Sequence, residues 1–112
     1  MPSKNPAQRL RDIVENIEAI HTFTAAMDFG AFTSDRKTVY AVTRALEIIS
    51  EASRRLPEEL KERHPEIDWA AVAAAGNVYR HEYEVVDEVQ LWHTVQHGLT
   101  GLRDVAVAEL AR

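Results

Sequence analysis

The chain has 112 residues, of which 46% are hydrophobic and 28% are charged, and its formal net charge is −5. Because a chain of this length can bury one modest core, we expect residues 1–112 to form a single domain. The acidic balance argues against a general nucleic-acid coat, which would be basic, but a few local Arg and His residues could still bind phosphate.

The sequence also lacks cysteine and long apolar segments. Without cysteine there can be no disulfide, no thiolate nucleophile and no Cys-based metal site. No apolar run approaches the roughly 18 residues that a membrane span needs, and the segment Met1–Pro6 lacks the apolar core of a signal peptide. We therefore expect a cytoplasmic protein that does not contact membranes.

Four long stretches carry apolar residues at steps of three and four, and none shows sustained period-two alternation, which predicts an all-α fold. The first helix should begin at Asn5-Pro6 and end at Phe29-Gly30, since Gly often follows a helix C-terminus. The apolar face of this helix consists of Leu10, Ile13, Val14, Ile17, Ile20, Thr24 and Met27.

The second long helix should begin near Thr33-Ser34-Asp35, because each of these residues can cap a helix. Its apolar face consists of Val39, Val42, Leu46, Ile49, Ser53 and Leu56.

The same helix also carries a polar stripe, which consists of Tyr40, Arg44, Glu47 and Glu51. We interpret the stripe either as a solvated face or as a face turned toward a site or a partner. A seam of smaller apolar residues suggests packing on more than one side, for example against another subunit; its members are Ala41, Ala45, Ile48 and Ala52.

A short helix is predicted after Leu56, with Pro57 at its first position and acidic residues in its first turn, where the helix dipole favours them. His64-Pro65 should end it, because the residue before Pro avoids helical geometry. We expect His64 to be a surface residue at this helix end.

Asp68 is predicted to cap the third long helix. One face of that helix consists of Trp69, Val72, Ala73, Gly76 and Arg80. A Gly inside a helix costs about 1 kcal/mol relative to Ala. Gly76 therefore indicates that another helix packs closely against this segment.

The last long helix should follow a turn at residues 81–87. Its predicted apolar face consists of Val89, Trp92, Gln96, Leu99, Leu102, Ala106 and Leu110. His93 and His97 are four residues apart and could share a metal ion in principle. Because no acidic residue or third His lies at ligand spacing nearby, we expect no metal site.

The chemically richest stretch is residues 76–83, GNVYRHEY. His has an unperturbed pKa near neutrality, and Arg presents a permanently charged planar fork of donors to phosphate. Arg80 beside His81 is therefore a candidate pair for handling phosphate. The alternative is a solvated helix end without chemical function.

The order and spacing of several segments resemble the HepT-like proteins, which belong to the HEPN superfamily of small all-α ribonucleases. The resemblance covers residues 8–102 and implies a HEPN-like up-down bundle of four long helices plus one short helix. It is carried by TVYAVTRALEIISEA at 38–52, Leu56-Pro57, the Trp69 helix, Gly-Asn-x-x-Arg-His-x-Tyr at 76–83 and Val-Asp before a Trp-containing helix.

This resemblance implies that the protein is the toxin of a toxin–antitoxin pair. The toxin would cleave RNA without a metal ion or cofactor. Such proteins are typically homodimers in which the motifs of both subunits face one cleft. The partner is a minimal nucleotidyltransferase antitoxin, often called MntA. It attaches adenylyl (AMP) groups to a tyrosine of the toxin and thereby silences the nuclease.

The family's motif is an Arg, four to six residues and then His-x-Tyr. His81 matches the motif His, and Tyr83 matches the Tyr that accepts AMP. Asn77 matches the Asn that commonly follows the motif Arg. Gly76 stands where that Arg is expected, and Arg80 is the nearest replacement. A second departure lies on the second long helix, where Ser50 replaces an expected Gly.

Two classes of function follow. In the first, His81 acts as general acid or base, Arg80 binds the scissile phosphate, and Asn77 holds the phosphate or orients His81. In the second, the departure at Gly76 marks a non-catalytic dimeric module that binds the nucleotidyltransferase, a nucleotide or RNA without cleavage. A structural helical dimer without nucleotide chemistry is a further alternative. For Tyr83, the alternative to an AMP acceptor is a half-buried aromatic residue that pins the turn.

Overall fold

Helices form most of the computed structural model, which describes residues 5–81 and 88–112, the side chains of residues 77–81 excepted. The helices are α1 (Ala7–Thr24), α2 (Phe29–Ser34), α3 (Arg36–Arg54), α4 (Glu58–Glu62), α5 (Trp69–His81), α6 (Glu88–His97) and α7 (Thr100–Leu110). The described residues contain no strand, so the all-α prediction is confirmed. Across these ranges, none of the helices is long and apolar enough to cross a membrane.

The helix α3 lies at the centre of the bundle, where it packs against α1 on one side and α5 on the other. The Asp35 carboxylate caps it by accepting bonds from the amide (3.4 Å) and the hydroxyl (2.8 Å) of Thr38. These bonds lower the pKa of Asp35. The predicted start of this helix is confirmed.

The predicted apolar face of α3 is buried in the core, where it meets buried residues of α1, α6 and α7. The residues of this face are Val39, Val42, Leu46, Ile49, Ser53 and Leu56.

The predicted end of the first helix is wrong. α1 ends at Thr24, and the backbone then turns through Ala26, which has a φ of 63°. Phe29-Gly30 begins α2 instead, because the Asp28 carboxylate accepts a bond from the Ala31 amide (2.8 Å) and caps the new helix. A local cap therefore outweighs the stop signal of the Gly.

The last long helix is divided at Gly98 and Leu99 into α6 and α7. The predicted apolar face is correct for Leu99, Leu102 and Ala106, which are buried. In α6 it is correct for Trp92, which is partly buried and packs against the core, and wrong for Val89, which is 68% exposed, and for Gln96, which is exposed. The buried residues of α6 are Leu91 and Val95, and the predicted Leu110 of α7 is exposed. The interruption shifts the phase of the two helices relative to each other, so one continuous 3.6-residue period cannot describe both.

The prediction that His64 is a surface residue is also wrong. Its side chain is 17% exposed, and its Nε2 lies 2.6 Å from the carboxylate of Glu109 on α7. Arg63 donates to the same carboxylate at 2.7 Å. The bond from Arg63, together with the one from His64, lowers the pKa of Glu109 to about 2. This cluster fixes the segment after α4 against α7.

Candidate active site

The candidate catalytic residues lie along the C-terminal part of α5. The start of this helix is fixed as predicted, because the Asp68 carboxylate accepts a bond from the Ala71 amide (3.0 Å). The indole of Trp69 donates to the carbonyl oxygens of Lys61 (3.2 Å) and His64 (3.0 Å). The N-terminal turn of α5 is therefore attached to the segment that carries α4.

Helix α5 continues through His81. The prediction that His81 belongs to the turn into the last helix is therefore wrong, and the rest of that predicted turn, residues 82–87, lies outside the described residues. The backbone positions of Asn77 and His81 are four apart in a regular helix, which corresponds to a rise of about 6 Å. The side chains of Asn77, Arg80 and His81 lie outside the described part of the structure, and so does the whole of Tyr83.

Immediately before these residues, α5 meets α3 at Ser50. The Ser50 side chain is almost completely buried, and its hydroxyl donates to the carbonyl oxygen of Val72 at 2.8 Å. The same hydroxyl oxygen accepts a bond from the amide of Gly76 at 2.9 Å. Val72 and Gly76 are four residues apart, so one hydroxyl bridges the two backbone groups that face each other across a helical turn.

The contact leaves no room for a side chain at position 76. A Cβ atom on Gly76 would lie 2.9 Å from both Cβ and Oγ of Ser50, and 3.3 Å from Cα of Glu47. Such separations are shorter than van der Waals contact, so α3 and α5 would have to move apart. The prediction that Gly76 reflects close helix packing is confirmed.

A second side chain of α3 contacts the backbone of α5 nearby. The Arg54 guanidinium donates a short hydrogen bond to the carbonyl oxygen of Ala73. Glu51 pairs with Arg54 and with Arg55, both at 3.1 Å, and the bond from Arg55 contributes most to the lowered pKa of Glu51. Together with the Ser50 contacts, this bond attaches α3 to two consecutive carbonyl groups of α5.

A groove of about 430 Å³ lies beside this contact and is lined by residues of α3, α5, α6 and α7 and of the segment between α6 and α7. Its lining consists largely of apolar side chains, and the α5 residues among them are mostly small. The described lining contains no charged side chain; it consists of Leu46, Ile49, Ser50, Ala71, Val72, Ala74, Ala75, Gln90, Thr94, Gly98, Leu99 and Leu102. A phosphate group would therefore find no cation among these lining residues.

The polar stripe of α3 has the properties of a solvated face. The Arg44 side chain is 71% exposed and pairs with Glu47 at 3.3 Å within the same helix. Tyr40 is also exposed, and its hydroxyl accepts a bond from Arg36 at 2.9 Å. These local contacts favour the first of the two interpretations given for the stripe.

His93 and His97 face each other on α6, with ring centroids 5.0 Å apart. Within residues 5–81 and 88–112, no group of three or more His, Asp or Glu residues is arranged to hold a metal ion.

Sequence reasoning missed the role of Ser50 in fixing α5. It identified Ser50 only as a departure from the pattern of the family that the chain resembles. The available signal was the second expected departure, at Gly76, because a small residue inside a helix already indicated close packing against another helix.

Most of the chain is similar in sequence to known proteins. Residues 13–108 match the family described as "Ribonuclease HepT-like". The "Probable ribonuclease HepT" of Thermococcus cleftensis is 45% identical over 94 residues, which are 84% of this chain and 86% of that protein. The "Putative RNase MJ0127" of Methanocaldococcus jannaschii is 37% identical over 95 residues, which are 85% of this chain and 78% of the relative. No solved structure matches the chain significantly.

Proposed function

The chain belongs to the HepT-like ribonuclease family, and on this premise we propose that it is an endoribonuclease that cleaves RNA without a metal ion. One observation carries the proposal: α5 continues as a helix through His81 directly after the segment that α3 fixes. The backbone positions of Asn77, Arg80 and His81 therefore fall within little more than one turn of a single helix.

In the proposed reaction, RNA supplies its own nucleophile. The 2′-hydroxyl oxygen attacks the adjacent phosphorus, the bond to the 5′-oxygen breaks, and a 2′,3′-cyclic phosphate and a 5′-hydroxyl result. One general base takes the proton of the 2′-hydroxyl, and one general acid gives a proton to the 5′-oxygen. No step requires a metal ion or a cofactor.

His81 would serve as general base or acid, a role that typically contributes about 10²–10⁴-fold to the rate. Arg80 would bind the scissile phosphate through charge-assisted hydrogen bonds and stabilise the charge that develops there. Asn77 would hold the phosphate or orient His81. If the protein is a homodimer whose two motifs share one cleft, the two copies of His81 divide the acid and base roles.

The regulatory part of the proposal concerns Tyr83. We propose that an MntA-like minimal nucleotidyltransferase transfers AMP from ATP to the phenol oxygen of Tyr83, so that the two proteins form a toxin–antitoxin pair. The new bond joins this oxygen to the α-phosphorus of ATP, pyrophosphate leaves, and the phenol proton passes to a base. Because the pKa of a free phenol is about 10, the partner has to supply the base that activates the oxygen. An AMP group near Arg80 and His81 would add bulk and negative charge and exclude RNA.

The decisive experiment is cleavage of labelled RNA in EDTA by the wild type, His81→Ala and a matched control, His21→Ala. His21 is an exposed residue of α1, so its loss tests the general effect of removing an imidazole. We expect a loss of about 100-fold or more for His81→Ala and a change within about twofold for His21→Ala. Full cleavage by His81→Ala would contradict the proposal.

A second candidate function is favoured by the lack of space for a side chain at position 76. A family member without the motif Arg could bind the nucleotidyltransferase, a nucleotide or RNA without cutting it. This alternative predicts that wild-type protein with unmodified Tyr83 binds a fluorescent RNA but does not cleave it. Mass spectrometry of the purified protein establishes whether Tyr83 carries AMP before either assay.

A further inference from the structure

The described contacts between α3 and α5 reach up to the start of the candidate catalytic segment. The Ser50 hydroxyl oxygen accepts a hydrogen bond of 2.9 Å from the Gly76 amide, and the next residue in the chain is Asn77. The bond from Arg54 to the carbonyl of Ala73 adds a second attachment in the same turn. The backbone that enters the segment 77–81 is therefore fixed by side chains of another helix.

The sequence of α5 makes this external attachment necessary. Residues 77–81 are Asn, Val, Tyr, Arg and His, of which only Arg is a strong helix former. Gly76 weakens the helix further, by about 1 kcal/mol relative to Ala. Most helical stability in proteins comes from tertiary packing, so the contact with α3 is the natural source of order at this end.

We propose that Ser50 is the positioning residue for the candidate catalytic segment: its buried hydroxyl fixes the backbone at Gly76 and thereby sets where Asn77, Arg80 and His81 stand relative to α3. The inference rests on the proposed ribonuclease function. Ser50 acts through the Gly76 amide and the Val72 carbonyl, not on the RNA itself. Small displacements of reacting groups matter here, since a misplacement of about 1 Å can cost about 10²-fold in rate.

The same contact determines which Arg can serve the site. Position 76 tolerates no side chain while Ser50 occupies the space in front of it. In the proposed site the guanidinium therefore comes from Arg80, which is one helical turn further along α5 than Gly76.

The test compares Ser50→Ala with Ser53→Ala. Ser53 is as deeply buried as Ser50 on the same helix, but its hydroxyl donates to the Ser50 carbonyl within α3 (2.7 Å). Both variants lose one buried hydroxyl, and only the first loses a bond to α5. Ser50→Thr, which keeps a hydroxyl, serves as the conservative rescue.

The first readout is amide hydrogen exchange at residues 77–81, which is independent of catalysis. We expect Ser50→Ala to raise these exchange rates about 10-fold, while Ser53→Ala and Ser50→Thr stay within about threefold of the wild type. The second readout is RNA cleavage, in which Ser50→Ala should lower kcat about 10- to 100-fold with KM within about twofold. Ser53→Ala should leave kcat within about twofold.

Equal exchange rates in the two Ser→Ala variants would overturn the positioning role, whatever the cleavage data show. A loss of kcat that follows the loss of Tm in both variants would also overturn it, since that is the signature of a structural role. If the wild type does not cleave RNA, the proposed function fails, and the exchange data still decide whether Ser50 orders the segment. Should Ser50→Ala not fold, Ser50→Cys replaces it, because a thiol of similar size makes only weak hydrogen bonds.

Discussion

The hydroxyl oxygen of Ser50 lies 2.9 Å from the amide nitrogen of Gly76. The two positions at which the sequence was expected to depart from the HepT-like pattern are therefore in direct contact. The hydroxyl of Ser50 fills space that the absent side chain at 76 leaves, and it bonds to the backbone there. We therefore expect these two positions to be energetically coupled, because they share one contact.

The first prediction concerns Gly76→Ala. In an ordinary helix interior this change would stabilise by about 1 kcal/mol. Here the added Cβ meets Ser50 at 2.9 Å, so we expect a loss of about 1–3 kcal/mol in the free energy of unfolding, measured by urea denaturation.

The matched control for this variant is Gly101→Ala in α7. A Cβ at Gly101 meets only Ile67 Cδ1, at an ordinary 3.9 Å, so this variant should be neutral or slightly more stable than the wild type. The steric interpretation is wrong if Gly76→Ala is as stable as Gly101→Ala.

The second prediction concerns restoration of the family's motif Arg. We expect Gly76→Arg alone to be strongly destabilised or unfolded, because its Cβ overlaps Ser50. Adding Ser50→Gly removes that overlap, and the double variant should recover about 1–2 kcal/mol relative to additivity in a double-mutant cycle. Recovery should be incomplete because Cα of Glu47 remains 3.3 Å from the new Cβ.

The control for the cycle pairs Gly76→Arg with Ser53→Gly. Ser53 is buried on the same helix, and its atoms are not among the three nearest to a Cβ at position 76, so this pair should be additive. Additive behaviour of the Ser50 pair as well would contradict the expected coupling. RNA cleavage by the double variant then tests whether an Arg at 76 can share or replace the role of Arg80.

The third prediction concerns acid stability through Glu109. Its pKa falls from 4.5 in the unfolded chain to about 2 in the folded protein, mainly through Arg63 and also through His64. Between these pH values the unfolded state binds more protons than the folded state, so stability falls as the pH is lowered through this range. The shift corresponds to at most about 3 kcal/mol.

We expect Glu109→Gln to be less stable than the wild type at neutral pH and to lose less stability on acidification from about pH 5 to about pH 2. Thermal unfolding followed by circular dichroism measures both effects. Glu18→Gln is the control, because the Glu18 side chain is 53% exposed in its pair with Arg103 and should contribute little. An unchanged pH profile in Glu109→Gln would refute the assignment.

The fourth prediction concerns α2, the short helix that the periodicity did not predict. Phe32 of α2 is fully buried, and its ring centroid lies 4.9 Å from that of Trp92 on α6. Phe32→Ala should therefore cost about 3–5 kcal/mol in urea unfolding. Phe23→Ala removes a partly exposed ring of α1 and should cost much less. Similar costs for both variants would show that α2 is not part of the core.

The sequence by itself determined the all-α class, the caps of α3 and α5 at Asp35 and Asp68, and the buried face of α3. These features are local, because a cap joins residues three apart and a helical face repeats every three or four residues. Sequence also identified the segment 76–83 as the candidate site. The side chains of Asn77, Arg80 and His81, and Tyr83 as a whole, lie outside the described residues, so their roles stay predictions.

Only the tertiary structure decided which distant residues meet. Ser50 and Gly76 are 26 residues apart in the chain, and His64 and Glu109 are 45 apart. Hydrophobic periodicity says which face of a helix is buried, but it does not say which side chain of one helix opposes which backbone group of another. That register is set by how the helices dock, which here brings the Ser50 hydroxyl against the carbonyl group of Val72 and the amide of Gly76.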